Sequence, residues 1–316
     1  MINFRFHLVS LIAVFLALGL GILVGSSVVD QVIVDRLQRE ISSIRHESSR
    51  RRQDNNDLKN QISRLNDSIA QTAPYAVQQR LEGVPVALVA ERGVDANTVK
   101  HVNEMLRSAG AVVSSVVWLD DPWRLDDPKQ LQDLQTLMGT TGTAAATRSA
   151  ALSKLAARLA EPTLSVRKSS TGPDLLKQLQ DAGFLTVTDA TTRQATTLPA
   201  TAARALVLTG TDSDLDGTDS LVQLVRALVS AKVPTVVGEV YDDHGSSNAT
   251  RTRGDAVAPV RGDSTLKKTV STLDDAELLQ GKVSAVLALE QIAEGTVGQY
   301  GYGRGASAAL PPPSSS

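Results

Sequence analysis

The chain of 316 residues contains no cysteine, so disulfides and thiolate metal sites are excluded, and redox chemistry does not reveal its compartment. Aromatic residues make up only 3% of it, and any core has to be assembled from Val, Leu, Ile and Ala. A net charge of −2 leaves no basic excess of the kind that marks a nucleic-acid partner. There is no G-x-S-x-G elbow, and His244 has no evident serine partner. These absences favour a protein that is not an enzyme and needs no cofactor. A hydrolase would require a pocket around His244.

What the sequence does contain begins with an apolar run. Leu8 to Val29 carries no charged residue, and as a helix these 22 residues reach about 33 Å, close to the ~30 Å of a bilayer's hydrocarbon. A secretory signal would have a shorter apolar core and a more basic start; Gly25-Ser26-Ser27 is only a weak cleavage site. The run therefore reads as a retained membrane anchor (8–29) behind a short tail (1–7). Ala13, Ala17, Gly21 and Gly25 fall four residues apart and line one helix face, as small residues do where two spans pack together. Arg36, Arg39 and Arg45 outnumber Arg5, so the positive-inside rule leans towards a cytoplasmic body.

From Val34 the apolar spacing alternates strictly between three and four. Val34, Ile41, Asn55, Ile62 and Ile69 fall at heptad a; Leu37, Ile44, Leu58 and Leu65 fall at d. β-Branched a residues with Leu at d favour a parallel two-stranded coil, and an Asn pair at position 55 would fix its register. The middle is weak, since Ser48 and Arg51 interrupt the seam and Arg51 is expected to turn outwards. In the coil (30–73), ended by Pro74, the heptad stretch of about 36 residues would span roughly 54 Å.

Beyond Gly83, short apolar runs alternate with helical stretches. Val84–Ala90, Ala111–Leu119, Ala205–Gly210, Pro234–Val240 and Lys282–Leu289 read as strands, and the regions around Ala96–Ser108 and Ser220–Ala231 as helices. Continuous apolar strands alternating with helices predict a mainly parallel sheet covered on both faces. Between Asp127 and Asp181 three helical patterns suggest a helical insertion capping the sheet. Thr140–Ala146 reads as a flexible bridge, Thr186–Thr201 as loop, and 306–316 as a low-complexity, disordered tail.

Four strands of this α/β body (83–305) run into acids: Glu91; Asp120-Asp121; Asp212, Asp214 and Asp216; and Asp242-Asp243 with His244. A parallel sheet would bring these to its carboxyl edge, where a hard cation or basic partner could bind. Helix capping is the plainer reading of Asp in these places. The stretch Asp212–Gly217 opens like a calcium loop, but Gln223 stands where a bidentate Glu is required. The Gly-rich Gly298–Gly305 ends the domain rather than opening a helix, so it reads as an exposed contact loop and not as a phosphate cradle.

The opening HLVSLIAVFLALGLGILVGS, the segment STLDDAE, the stretch GKVSAVLALEQIAEG and the ending GQYGYGRGA together resemble the actinobacterial copper transport protein family, MctB. The order of parts matches over nearly the whole chain. The resemblance implies a cell-envelope protein with an extracytoplasmic body; the family has been described as an outer-membrane channel for copper efflux. The chain also resembles a coiled-coil cell-separation factor of the same family that acts with a protein partner.

The residues themselves do not point to a copper channel. Copper(I) favours thiolate and thioether ligands. Beyond Met1 only Met105 and Met138 are available, both on helix patterns, and His7, His46, His101 and His244 are dispersed. A membrane barrel would need many strands of alternating polarity.

The expectation is thus an α/β protein with a single transmembrane helix that continues into a parallel dimeric coiled coil, then a mainly parallel, Rossmann-like domain with a helical insertion. Its dimer contacts would be Ala17, Gly21, Gly25, Leu37, Ile41, Asn55, Leu58, Ile62, Leu65 and Ile69. Asp212, Asp214, Asp216, Asp242, Asp243 and His244 are weak metal candidates. The expected partners are a second copy, the bilayer and an envelope or divisome protein, with the body extracytoplasmic. A copper efflux or homeostasis component in the outer membrane is the alternative.

Overall fold

The computed structural model describes residues 4–161, 174–194, 202–215, 219–242 and 252–313, with backbone only at 4, 26–34, 66 and 70. The chain divides into two units, 1–67 and 68–316.

In the first unit the backbone is helical throughout its described length. It belongs to α1, which runs without interruption from Phe4 to Val77. Arg5–Gly25 is long and apolar enough to cross a membrane, with a mean hydropathy of 2.7 and no part buried within the chain. The helix passes the expected stop at Pro74, which lies inside its last turn. Proline removes one backbone hydrogen bond there, but Ala73 and Val77 on either side are buried in the core of the second unit. Packing at these positions outweighs the local helix-breaking tendency.

Among the described residues of the second unit, seven strands form one sheet in the order β3-β2-β1-β4-β5-β6-β7. They are β1 (Val86–Glu91), β2 (Ser115–Leu119), β3 (Leu185–Asp189), β4 (Arg204–Gly210), β5 (Thr235–Val240), β6 (Ser271–Leu273) and β7 (Gln299–Tyr300). All neighbours are parallel except β2 and β3, which run antiparallel with Val117 opposite Val187. Without β3, the strands β2-β1-β4-β5-β6 follow the 2-1-3-4-5 order of a doubly wound sheet, whose switch point lies between β1 and β4.

Alternate strand residues face opposite layers. Val89, Val117, Val207 and Val237 join one core. It is covered by α3 (Pro128–Met138), α4 (Ala144–Ala160), α5 (Leu175–Asp181), α6 (Ser220–Ser230) and α7 (Ala258–Gly262). Leu88, Trp118, Leu206 and Val236 join the other, under α2 (Ala96–Ser108), α8 (Leu279–Ile292) and the end of α1. The helices between Asp127 and Asp181 therefore complete one of the two layers, with α4 packed along α6. The bridge before α4 is built from caps: Gly139 closes α3 in the left-handed region, and Thr143 accepts from the Ala146 N–H.

Three sequence expectations are corrected. Lys282–Leu289 is not a strand but the middle of α8. Its buried positions Gly281, Ser284, Ala285, Ala288, Leu289 and Ile292 repeat at three and four, the spacing of a helix with one face on a sheet. Thr186–Thr201 is not all loop, because Leu185–Asp189 forms edge strand β3. The segment before Gly301 is not an exposed loop either: Gln299–Tyr300 pairs with β6 and is buried, while Tyr302 is exposed.

Candidate functional site at the carboxyl edge

Because the central strands are parallel, their carboxyl ends share one edge. The acids there separate into two groups. The first lies at the switch point. Glu91 ends β1 with its side chain 3% exposed, and the hydroxyls of Thr209 and Ser213 each donate to its Oε2 at 2.6 Å. Burial pushes the Glu91 carboxyl above its ordinary pKa, and the two hydroxyls pull against that rise. Beside it opens a cavity of about 270 Å³, bordered by Glu91, Thr209, Ser213, Asp219, Asp255 and an apolar wall.

Around the cavity the other predicted acids find partners. Asp120 receives Arg92 at 2.6 Å and the Thr186 hydroxyl at 2.7 Å, while the Arg92 guanidinium lies 5.1 Å from the Trp118 ring centre. Asp214 is raised by burial and by Asp121, with which it shares a hydrogen bond. Asp212 lies partly exposed in the turn after β4; its carbonyl approaches Gly93 so closely that a Cβ there would fall 2.0 Å from it. The Asp242 N–H donates to the Thr211 hydroxyl. Asp216, Asp243 and His244 lie outside the described residues. Among the described residues, no three His, Cys, Asp or Glu side chains converge in a way that would hold a metal ion. Capping falls elsewhere: Asp95 opens α2, accepting from the N–H groups of Asn97 and Thr98, and Asp127 opens α3.

The second group was not foreseen. At the ends of β5, β6 and β7, Arg261 and Asp274 form an ion pair at 2.8 Å with both side chains at most 5% exposed. Arg261 also donates to the Thr272 hydroxyl and to the carbonyls of Tyr300 and Arg304, so all three guanidinium nitrogens are engaged. Asp274 Oδ1 accepts the N–H groups of Tyr302 and Gly303. Gly301 between the strand and these donors has φ +114°, and a Cβ there would lie 2.2 Å from Asp274 Oδ1, so glycine is required. Glu239 accepts from the N–H groups of Gly254, Ala256 and Val257; burial nonetheless pushes its carboxyl up to about 7. Asp275 is buried, with Oδ1 unpartnered, and burial together with Asp274 raises it to about 6. The segments STLDDAE and GQYGYGRG, far apart in sequence, thus meet in one knot. Their signal in the sequence was compositional: paired acids in one and closely spaced glycines in the other.

The second candidate surface is α1. Leu37, Ile41, Leu58, Ile62, Leu65 and Ile69 are all exposed in the single chain, Ile62 at 57%. Ala17 and Asn55 are exposed, and nothing lies within 4 Å of where a Cβ would stand at Gly21 or Gly25. Arg51 pairs with Glu47 at 2.6 Å along the helix.

The profile of a family described as "Copper transport outer membrane protein, MctB" matches residues 1–311. The chain belongs to the MctB family. It is similar to the "Copper transporter MctB" of Mycobacterium bovis (strain ATCC BAA-935 / AF2122/97) and of two Mycobacterium tuberculosis strains, CDC 1551 / Oshkosh and ATCC 25618 / H37Rv. Each is 26% identical over 318 residues, spanning 97% of this chain and 98% of the relative. Against that MctB background, the two thioether sulfurs among the described residues are poorly placed for copper. Met105 and Met138 are buried in opposite layers of the sheet, where both serve as packing.

Proposed function

We propose that this MctB-family chain is a single-pass envelope scaffold that dimerises in parallel along α1 and presents an extracytoplasmic α/β domain to a protein partner in cell-envelope and cell-separation control. The observation that carries the reading is the continuity of one helix. An apolar window at Arg5–Gly25 leads, with no break before Val77, into a seam whose apolar residues have no cover in the single chain. Removing that surface from water requires a neighbour, and the alternation of Leu, Ile and Asn at d and a suits a second copy in parallel. The α/β domain has its own complete core, which suits a presented module. The test is a deletion strain complemented by seam variants. The scaffold reading expects unseparated cells when the gene is lost, and the same defect with Leu58→Asp plus Ile62→Asp. Normal separation in the deletion strain contradicts it.

The family description favours a second reading, a component of copper efflux or homeostasis, with copper as cargo. Its test is growth of the same deletion strain across a copper series. Copper sensitivity restored by the wild-type gene supports it, and unchanged tolerance contradicts it. Protease treatment of spheroplasts decides the side: digestion of the α/β domain supports the extracytoplasmic placement, and protection supports the cytoplasmic one.

A further inference from the structure

The cavity at the switch point has a polar floor and an apolar wall. Among its described lining residues three are acids, Glu91, Asp219 and Asp255, and none is Lys, Arg or His. Leu215, Leu221 and Val222 form the wall. Ligands of doubly wound sheets bind at this place, outside the carboxyl ends of the strands where their order reverses. Glu91 is held there by two hydroxyls that both donate to Oε2. The hydroxyls fix the carboxyl's direction and supply no countercharge, so a buried acid stands without a cation.

We propose that this cavity binds a small primary ammonium compound, with its nitrogen on Glu91 and a short hydrocarbon stem against Leu215, Leu221 and Val222. An anion is disfavoured because three of the described lining residues are acids and none is a base; Arg148, whose charge acts on Asp219, is not among them. A metal ion is disfavoured because no three ligating side chains converge among the described residues. A guanidinium binds best through two parallel bonds to both carboxylate oxygens, but Oε2 is already engaged twice. An ammonium is a compact point charge and needs only the other oxygen. The volume of about 270 Å³ lies at the small end for ligand pockets, which limits the stem to a few carbons.

The test uses the full chain in detergent micelles, with Leu and Val methyl groups labelled for NMR. The probes are n-butylamine hydrochloride and its uncharged counterpart n-butanol. Butylamine is expected to give saturable shifts at Leu215, Leu221 and Val222, with butanol weaker by about tenfold or more, the worth of one charged hydrogen bond. Glu91→Gln keeps an acceptor for Thr209 and Ser213 in nearly the same shape, and is expected to weaken butylamine by a similar factor. Absence of saturable shifts at the wall overturns the proposal. Equal binding of amine and alcohol, or unaltered amine binding by a folded E91Q chain, does so too. The amine and alcohol comparison uses the unaltered chain and stands whatever E91Q does to folding.

Discussion

The two units of this chain treat apolar residues in opposite ways. In the α/β unit Leu88, Leu208 and Val236 are fully buried, and both faces of the sheet are covered. In the helical unit Leu16, Leu58 and Ile62 are more than half exposed. A sheet between two helical layers satisfies its own surface. A lone helix with a narrow apolar stripe does not, and in the proposed reading lipid covers one part of it and a second helix the other. The difference separates a unit that folds by itself from one that specifies its surroundings.

Substitutions should therefore affect one unit and leave the other alone. The largest effect is expected at the buried ion pair. Arg261→Ala leaves Asp274 buried without a countercharge and should destabilise the α/β unit by about 3–5 kcal/mol, read by denaturant unfolding, with no change in helix association. At the seam the reverse is expected. Ile62→Ala removes apolar surface worth about 1.5–3 kcal/mol per chain if it is buried between helices. It should lower association measured by sedimentation while the unfolding midpoint of the α/β unit stays fixed.

The third effect is pH dependence confined to the α/β unit. Asp275 is raised from 3.8 to about 6 in the folded chain, so the folded state holds its proton more tightly than the unfolded one. Its stabilising contribution is full below pH ~3.8 and is lost as pH rises through about 6, a change of at most about 3 kcal/mol. Glu239, raised from 4.5 to about 7, adds a loss of the same sign up to pH ~7. Asp275→Asn should flatten the stability profile between pH 4 and 6 while leaving the Glu239 part, as followed by thermal unfolding across pH. An unchanged profile would show that Asp275 does not carry this proton. The smallest effect is expected from Asp95→Ala, which removes the N-cap of α2 and should cost about 1 kcal/mol in the same unfolding measurement.

Much of this division is legible in the sequence. The long helix, its apolar first part, and strands β1, β4 and β5 follow from runs of Val, Leu and Ala long enough to show their period. The failures have physical causes. The mostly apolar run from Lys282 to Leu289 fits a buried strand as well as a buried helix, and only the spacing of buried positions from Gly281 to Ile292 separates the two. β6 and β7 have three and two residues, too few to display alternation, and are placed by backbone pairing beside the Arg261–Asp274 ion pair. β3 is an edge strand whose Thr186 and Thr188 look like loop residues until β2 supplies a partner. The gathering of acids at one edge followed from the expected parallel order. Their separation into a cavity group and an arginine knot did not, because the arginines that divide them come from other segments.

Parallel pairing of α1 is tested most directly by a single cysteine at Asn55, in a chain that has no cysteine of its own. Oxidation of membranes carrying Asn55→Cys should give a chain of doubled mass that reverts on reduction. Cysteine at the outward-facing Asn56 should cross-link much less. A monomer band from Asn55→Cys under oxidation, or equal cross-linking at both positions, would contradict a register-fixed parallel pair.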